Sequence, residues 1–399
     1  MTAPLRIALL AHPRHPIAPP FMGGMEAHAW YLAHGLRARG HDVTLIAAGD
    51  SRTRTALHPL MDRHYDADLP WHQFHGTARL NAYLDDNHDR ALQWIMGQGF
   101  DVIHNNGLHR FPPRMSRRHR MPMVTSLHVP PFDALLRAMR DSVAPWHQVT
   151  ACSRTHLAEY WPDGAPPSCH VVPNGIDMGD WPFAPKGQGH AIWAGRITPN
   201  KGTHLAIRAA RRAGVPLMIF GTIEDRDYFD SQIRSELNGD IRFGGHLTGR
   251  VLAVEYGRAS VMLFTPQWNE PFGLTALEAM ACGTPVAAIR MGAVAEVIGS
   301  AGSYAAPDGH DLDLAMLRAM QVPRAAVRDR AARLFGMDAM LDRYDALYRT
   351  AIANRNAPAP PVDYAAIELP PHLGHAGRVA SDDAAVQDRL VRQARQQFQ

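Results

Sequence analysis

The stretch Glu270-Pro271-Phe272-Gly273-Leu274-Thr275-Ala276-Leu277-Glu278-Ala279-Met280-Ala281-Cys282-Gly283-Thr284-Pro285-Val286-Ala287 organises the reading of this chain. It follows an apolar run, Val261-Met262-Leu263-Phe264, of the kind that forms a buried parallel strand. Leu274, Leu277 and Ala281 then fall at helical spacing. Gly283 stands where a helix end favours a left-handed residue, and Val286-Ala287 opens another strand. The order is strand, turn, helix, strand: one βαβ unit. Gly273 lets a ligand approach the backbone where the helix presents unpaired N–H groups, which makes an anion site. Glu270 lies before this helix and Glu278 over a turn into it. A phosphate on the amides would have a carboxylate on each side, each able to accept bonds from hydroxyls. That suits a phosphate-linked polyol such as a nucleotide-sugar. The plainer alternative is a pair of solvated charges at a helix end, Glu270 favouring the dipole.

A second loop of the same kind lies upstream. Ala191-Ile192-Trp193-Ala194 reads as a strand, Gly195 to Gly202 as a loop holding Arg196 and Lys201, and a helix follows. Two cations facing two phosphates is sound chemistry, a guanidinium binding through a fork and an ammonium as a point charge. Leu217-Met218-Ile219-Phe220 and Asp240-Ile241-Arg242-Phe243 read as further strands. Residues 304–318 and 322–335 read as closing helices, and 337–354 as a long amphipathic helix.

The N-terminal half repeats the α/β pattern. Leu5 to Ala11 is a strand, His12 to Gly24 a Pro-rich loop, and Met25, Ala29, Leu32 and Leu36 one face of a helix. Val43 to Ala47 is the next strand. No G-x-G-x-x-G is present, so a dinucleotide site is weakly indicated. Strands at Val102-Ile103-His104, Met123 to His128 and Val149 to Ser153 each end in a polar residue, at the edge where α/β sites form. Residues 52–86 show little periodicity, and Asp85-Asp86 reads as a solvated face. The arginines from Arg110 to Arg120 read as a solvated helix face, with contact to an anionic membrane as the minority reading. Asn174-Gly175 reads as a tight turn with positive φ, and residues 178–189 as a Gly- and Pro-rich hinge.

Composition excludes less than it permits. The chain has 399 residues, 46% hydrophobic and 20% charged, with a net charge of +3, which is ordinary for two or three globular domains. That charge argues for no polyanionic partner, and no nucleic acid is expected. Cys152, Cys169 and Cys282 have no metal spacing and read as reduced thiols in a cytoplasmic protein. No run approaches 18 apolar residues, so no membrane span is expected, and residues 1–11 read as a strand rather than a signal peptide.

The segment EPFGLTALEAMACGTPV, with its E-x7-E spacing, resembles the donor-site signature of retaining, GT-B-fold glycosyltransferases of family 4, also called glycosyl transferases group 1. The loop Gly195 to Gly202 matches the same family's G-R-x-x-x-x-K-G, His170 to Asp177 its V-P-N-G-I-D segment, and Gly23-Gly24 its acceptor-side turn. The resemblance implies two Rossmann-like α/β domains facing a central cleft, with a C-terminal helix crossing back to the first. The implied divisions are an acceptor domain over 1–180, a donor domain over 190–336, a crossover helix over 337–356 and an extension over 357–399. It also implies roles. Arg196, Lys201 and the amides of Phe272, Gly273 and Leu274 hold the donor diphosphate. Glu278 holds ribose and Glu270 the transferred sugar. Gly23 and Gly24 face the phosphates, and His128 reaches the sugar from the acceptor domain. His104, Ser153 and Asn174 are further candidates. Met291 replaces one glycine of the family's Gly-Gly-x-x-Glu turn before Glu296, which weakens any role for that turn.

The implied activity is metal-independent, retaining transfer from a nucleoside-diphosphate sugar, UDP first and GDP next, to the hydroxyl of a small-molecule, glycan or lipid acceptor; His12, Arg14 and His15 in the loop before Gly24 would suit a polar or anionic one, and three residues do not decide among these. No cofactor is implied. A location in the cytoplasm or peripheral at the inner membrane face accords with this. The competing readings are a nucleotide-sugar epimerase of the same fold, a dinucleotide-dependent oxidoreductase, and an inactive binding protein.

Overall fold

The computed structural model describes residues 3–362. Seven strands form the first sheet: β1 (Arg6–Leu10), β2 (Asp42–Ala48), β3 (Ala56–Met61), β4 (Val102–Asn105), β5 (Met123–Leu127), β6 (His147–Ala151) and β7 (Cys169–Val171). Six form the second: β8 (Ala191–Ala194), β9 (Leu217–Phe220), β10 (Ile241–Phe243), β11 (Val261–Phe264), β12 (Val286–Ile289) and β13 (Gly302–Ala305). The orders are β3-β2-β1-β4-β5-β6-β7 and β10-β9-β8-β11-β12-β13, and both sheets are parallel throughout. In each, the chain reverses direction across the sheet beside its first strand, β1 or β8. In such sheets ligands bind where the order reverses, beyond the strands' C-terminal ends. The loops after β1 and β8 therefore hold the site.

The Met337–Ala353 helix returns to the first sheet. Its Met340, Leu341, Tyr344 and Tyr348 are buried with Ile7, Leu9, Leu32 and Leu45. Tyr348 is 2.6 Å from His104 Nδ1 and Tyr344 3.0 Å from Ser126. Residues 178–189 have no regular structure but are tied to the second domain, for example by Ala184 N–H to Cys282 O (3.1 Å) and Gln188 N–H to Arg258 O (2.7 Å).

The structure differs from the sequence expectations in several places. The obscure 52–86 stretch contains β3, the short Trp71–Phe74 helix and the start of the Ala78–Gln98 helix. β3 is an edge strand, so Pro59 is tolerated in it, and the register slips between Ala47 and Ala48 beside it. Asp85 does not lie on a solvated face. Arg110 grips it through two nitrogens (2.7 and 2.9 Å) and His109 Nε2 lies 2.8 Å away. Burial would raise its carboxyl, but these partners outweigh that and hold it at about 2. Asp86 is exposed.

The basic run is not a solvated face either. Within the Phe111–His119 helix Arg114 and Arg117 are buried. Arg114 pairs with Asp141 (2.8 Å), Arg117 donates to Pro360 O, and Arg120 donates to Arg355 O and Ala357 O. Arg117 and Arg120 thus hold the segment that follows the Met337–Ala353 helix. Residue 304 lies in β13, not in a helix, and the helix that follows is Leu312–Ala319. Gly175 does not have positive φ. It is needed for space, because a Cβ there would lie 2.9 Å from Met337 Cα. Of the expected 357–399 extension, residues 363–399 lie outside the described residues. No helix among the described residues is long and apolar enough to cross a membrane.

Candidate active site

β8 and β11 are neighbours in register, so the loops that follow them meet at one corner of the second sheet. Lys201 closes a 3₁₀ turn, Pro199–Lys201, and Gly202 follows with φ +65°. A Cβ on Gly202 would stand 2.3 Å from Thr265 O, so only glycine lets the two loops touch. Lys201 Nζ donates to Glu270 Oε2 at 2.6 Å, and Trp268 Nε1 donates to the same oxygen at 2.9 Å. The ammonium also lies 4.9 Å from the Trp268 ring centre. Glu270 is 8% exposed, so this pair works in a partly dry corner.

Gly273 opens the Leu274–Ala281 helix with φ +92°, and the helix's free amides face the same corner. Phe272 is buried and meets Phe335 edge to face at 5.6 Å. The turn before Glu296 retains Gly292, with φ +56°, and a Cβ there would be 2.5 Å from both Glu270 N and O. Ala293 N–H donates to Glu270 O at 2.9 Å. The glycine that survives in this turn is the one the Glu270 backbone packs on.

Glu278 lies deeper. Tyr256 O–H donates to its Oε2 at 3.3 Å, and burial pushes its carboxyl up to about 8. It lines a pocket between the domains with Tyr31, Asn174, Trp181 and Met340. Asn174 Oδ1 is buried there and has no hydrogen-bond partner among the described residues.

The first domain closes the site. Gly23 precedes the Gly24–Ala38 helix in extended backbone. A Cβ on Gly24 would be 2.7 Å from Leu274 Cδ1, so this turn rests on the first residue of the donor-side helix. His128 is half-buried; its Nε2 is 3.0 Å from Asn106 Oδ1 and its ring centre 4.5 Å from that of His28. Burial holds His128 far below the usual imidazole range, so it is neutral. His104 is fully buried, with Nδ1 on Tyr348 and Nε2 near Ser126 (2.9 Å) and Asn106 (3.2 Å). It lies beneath the site and shares Asn106 with His128. Ser153 Oγ donates to Pro271 O at 2.9 Å across the cleft and accepts from His156 N–H at 3.0 Å.

The structure thus gathers Lys201, Glu270, Phe272, Gly273, Leu274, Gly24 and Ser153 at one point, and places Glu278 and Asn174 in the adjoining pocket. Arg196 is at the rim, donating to Glu224 Oε2 at 2.5 Å. Sequence reasoning named Arg14 in the acceptor loop and Glu296 only through its turn, and it missed Glu224. Glu224 also accepts from Arg14 (3.3 Å). Glu296 accepts from Arg154 N–H (3.0 Å), Thr155 N–H (2.7 Å) and Thr155 O–H (2.5 Å). Glu296 had a signal in its glycine turn and Arg14 in its loop; Glu224, a lone acid after a strand, had none. No group of three His, Cys, Asp or Glu side chains among the described residues could hold a metal ion. Cys152 and Cys282 are buried thiols and Cys169 is half-buried.

Two parallel-sheet α/β domains meeting at a cleft are the GT-B architecture. The family model "Glycosyltransferase Family 4" matches residues 22–180, and "Glycosyl transferases group 1" matches residues 182–323. The chain belongs to the family 4 glycosyltransferases. It is 28% identical to a glycogen synthase of Mycobacterium tuberculosis over 79% of this chain and 87% of that one. With a phosphatidyl-myo-inositol mannosyltransferase of Mycolicibacterium smegmatis the identity is 27%, over 77% and 85%. Among solved structures, Anabaena Alr3699/HepE in complex with UDP-glucose superposes with a TM-score of 0.65 at 17% identity, covering 87% of this chain and all of that one.

Proposed function

We propose that this glycosyltransferase retains anomeric configuration and uses a nucleoside-diphosphate sugar, a UDP-sugar first and a GDP-sugar next, without a metal. The observation that supports this most is the Lys201–Glu270 pair at the N-terminus of the Leu274–Ala281 helix. A cation, a carboxylate and free amides stand there together, as a diphosphate joined to a sugar requires. The UDP-glucose complex of the structural relative accords with the choice of nucleotide.

In this reading Arg196, Lys201 and the amides of Phe272 to Leu274 take the charge that develops on the leaving diphosphate. Lys201 turns from Glu270 to the phosphate, and Trp268 keeps Glu270 partnered while its free lone pairs take sugar hydroxyls. Glu278 takes the ribose. His128 offers the sugar a neutral hydrogen bond from the opposite domain. A histidine held so far below neutrality is a poor general base. The leaving phosphate oxygen therefore takes the acceptor hydroxyl's proton as the old C–O bond breaks and the new one forms on the same face. The acceptor is a small molecule, glycan or lipid. Peripheral membrane docking through the arginine-rich helix draws little support, because Arg114, Arg117 and Arg120 bind internal partners.

Thermal unfolding with UDP, GDP and ADP tests the donor. A ligand at 100 times its Kd adds about 2.7 kcal/mol, and UDP is expected to raise the transition most. Arg196→Ala is expected to lose about 10²-fold in rate once a donor is found. Normal turnover of that variant, or no shift with any nucleotide or nucleotide-sugar, would overturn the reading.

A further inference from the structure

We propose that Arg14 and the Nη1 edge of Arg196, whose other nitrogens serve the donor diphosphate, form a two-guanidinium seat for an oxyanion carried by the acceptor, and that Glu224 occupies the seat until the acceptor arrives. This rests on the glycosyltransferase reading above and names the chemistry of its acceptor. The loops after β1 and β8, the reversal points of the two sheets, supply the two arginines. Arg196 Nη1 lies 2.5 Å from one oxygen of Glu224 and Arg14 Nη2 3.3 Å from the other. One carboxylate thus receives a guanidinium from each domain, the arrangement a phosphate or carboxylate on a bound molecule would reproduce.

Arg14 is held ready for this. Its Nε donates to Asp66 Oδ1 at 3.2 Å and its guanidinium lies 5.2 Å from the Trp71 ring centre. Asp66 is itself fixed by Trp71 N–H at 2.9 Å. The far end of Arg14 therefore reaches the cleft with little freedom left to lose on binding. Among the described residues the Glu224 carboxylate is held by the two arginines of the seat, and its side chain is 31% exposed. Its loop runs beside Arg196 through an isolated bridge, Ile197 with Ile223, so the backbone sets it within reach of the seat while the side chain can swing away. His15, the next residue after Arg14, is kept neutral by burial and then by Arg14 itself, and so offers hydrogen bonds to hydroxyls rather than charge. Arg14 comes from the loop on the acceptor side, whereas Lys201 and the helix amides lie on the donor side. Arg196 is on the donor side too, so the seat spans the cleft, and Arg14 is the half that directs its anion to the acceptor.

Calorimetric titration of inorganic phosphate tests this on the full chain. With UDP saturating, phosphate is expected still to bind. Glu224→Gln is expected to tighten it about tenfold and Arg14→Gln to abolish it, with UDP affinity kept within about twofold. Two results would overturn the proposal. If UDP excludes phosphate and Arg14→Gln weakens UDP as much as Arg196→Gln does, Arg14 serves the donor diphosphate. If Glu224→Gln leaves phosphate binding unchanged or weaker, Glu224 is only an ion-pair clasp between domains. Phosphate titrated without nucleotide into Glu224→Gln and into the double variant with Arg14→Gln reads the seat alone. Failure of UDP to bind would thus sink the donor assignment and leave this one decided on its own data.

Discussion

Glu278 shows how far a residue's surroundings can move its chemistry. Its place in the E-x7-E spacing is legible in the sequence, but its protonation is not, because only the fold buries it beside Tyr256. Burial lifts the carboxyl from 4.5 to about 8. The folded protein therefore keeps a proton that the unfolded chain releases above pH 4.5. Stability falls as pH rises from 4.5 towards 8 and levels off above that. Glu278→Gln removes this dependence. Its melting temperature is expected to exceed the parent's at pH 8 and to converge with it near pH 4.5, by calorimetry across that range. The same variant is expected to bind UDP about tenfold more weakly, through loss of a ribose partner. His104 makes the opposite point. A strand-end histidine reads as a site residue, yet the returning helix covers it with Tyr348. Nothing local in the sequence announces that cover.

At the scale of elements, the Leu274–Ala281 helix is where sequence and structure agree best. Its left-handed entry at Gly273 and its exit at Gly283, φ +83°, are both needed by the backbone and both visible as glycines. At the Met291-Gly292 turn, where a methionine replaces one glycine of the family pattern, the position that needs glycine is Gly292. Gly292 has positive φ, Met291 does not, and Gly292 faces the Glu270 backbone at a distance that forbids a Cβ. Gly292→Ala is expected to destabilise the protein by about 1–3 kcal/mol and to weaken UDP binding, since Glu270 must shift to make room. Urea unfolding and UDP titration on the same sample check both effects; an unshifted unfolding midpoint would contradict the packing argument. The Phe111–His119 helix was misread for a general reason. A run of arginines reads as solvated until the acids and carbonyls that meet it, here Asp141, Pro360 and Arg355, are brought together by the fold.

Polar contacts join the two domains across the cleft. Glu296 accepts three bonds from the start of the Arg154–Tyr160 helix, where the helix dipole favours its charge, and Ser153 reaches Pro271 beside Glu270. Closing the domains therefore also positions the Glu270 loop. Glu296→Ala is expected to enlarge the radius of gyration in small-angle scattering and to lower turnover about tenfold, while UDP affinity changes little. Unchanged scattering would show that other contacts suffice. A second global property comes from the buried histidines. Burial lowers His12, His28 and His104 to about 3 and His147 to about 4. Each refuses a proton that the unfolded chain takes below about 6.5. Their contribution is complete above pH 6.5 and lost as pH falls towards 3, at up to ~1.4 kcal/mol per pH unit for each histidine. Glu278 works in the other direction with one proton, so the histidines dominate. Urea midpoints at pH 7.5, 6 and 5 are expected to fall steeply with acid.

The sequence by itself determined the buried strand runs, the glycines of the turns and the cation and carboxylate positions beside them, and the division into two sheets came with the family resemblance. The runs and turns are local matters: apolar runs make buried strands, and left-handed turns need residues without a Cβ. Only the tertiary structure decided that Lys201 meets Glu270, that Glu224 joins Arg14 to Arg196, that Glu296 clasps the opposite domain, and that His104 is sealed beneath the returning helix. Each of those depends on the distance between segments far apart in the chain. That distance is set by packing and sheet order, which no short pattern of residues records.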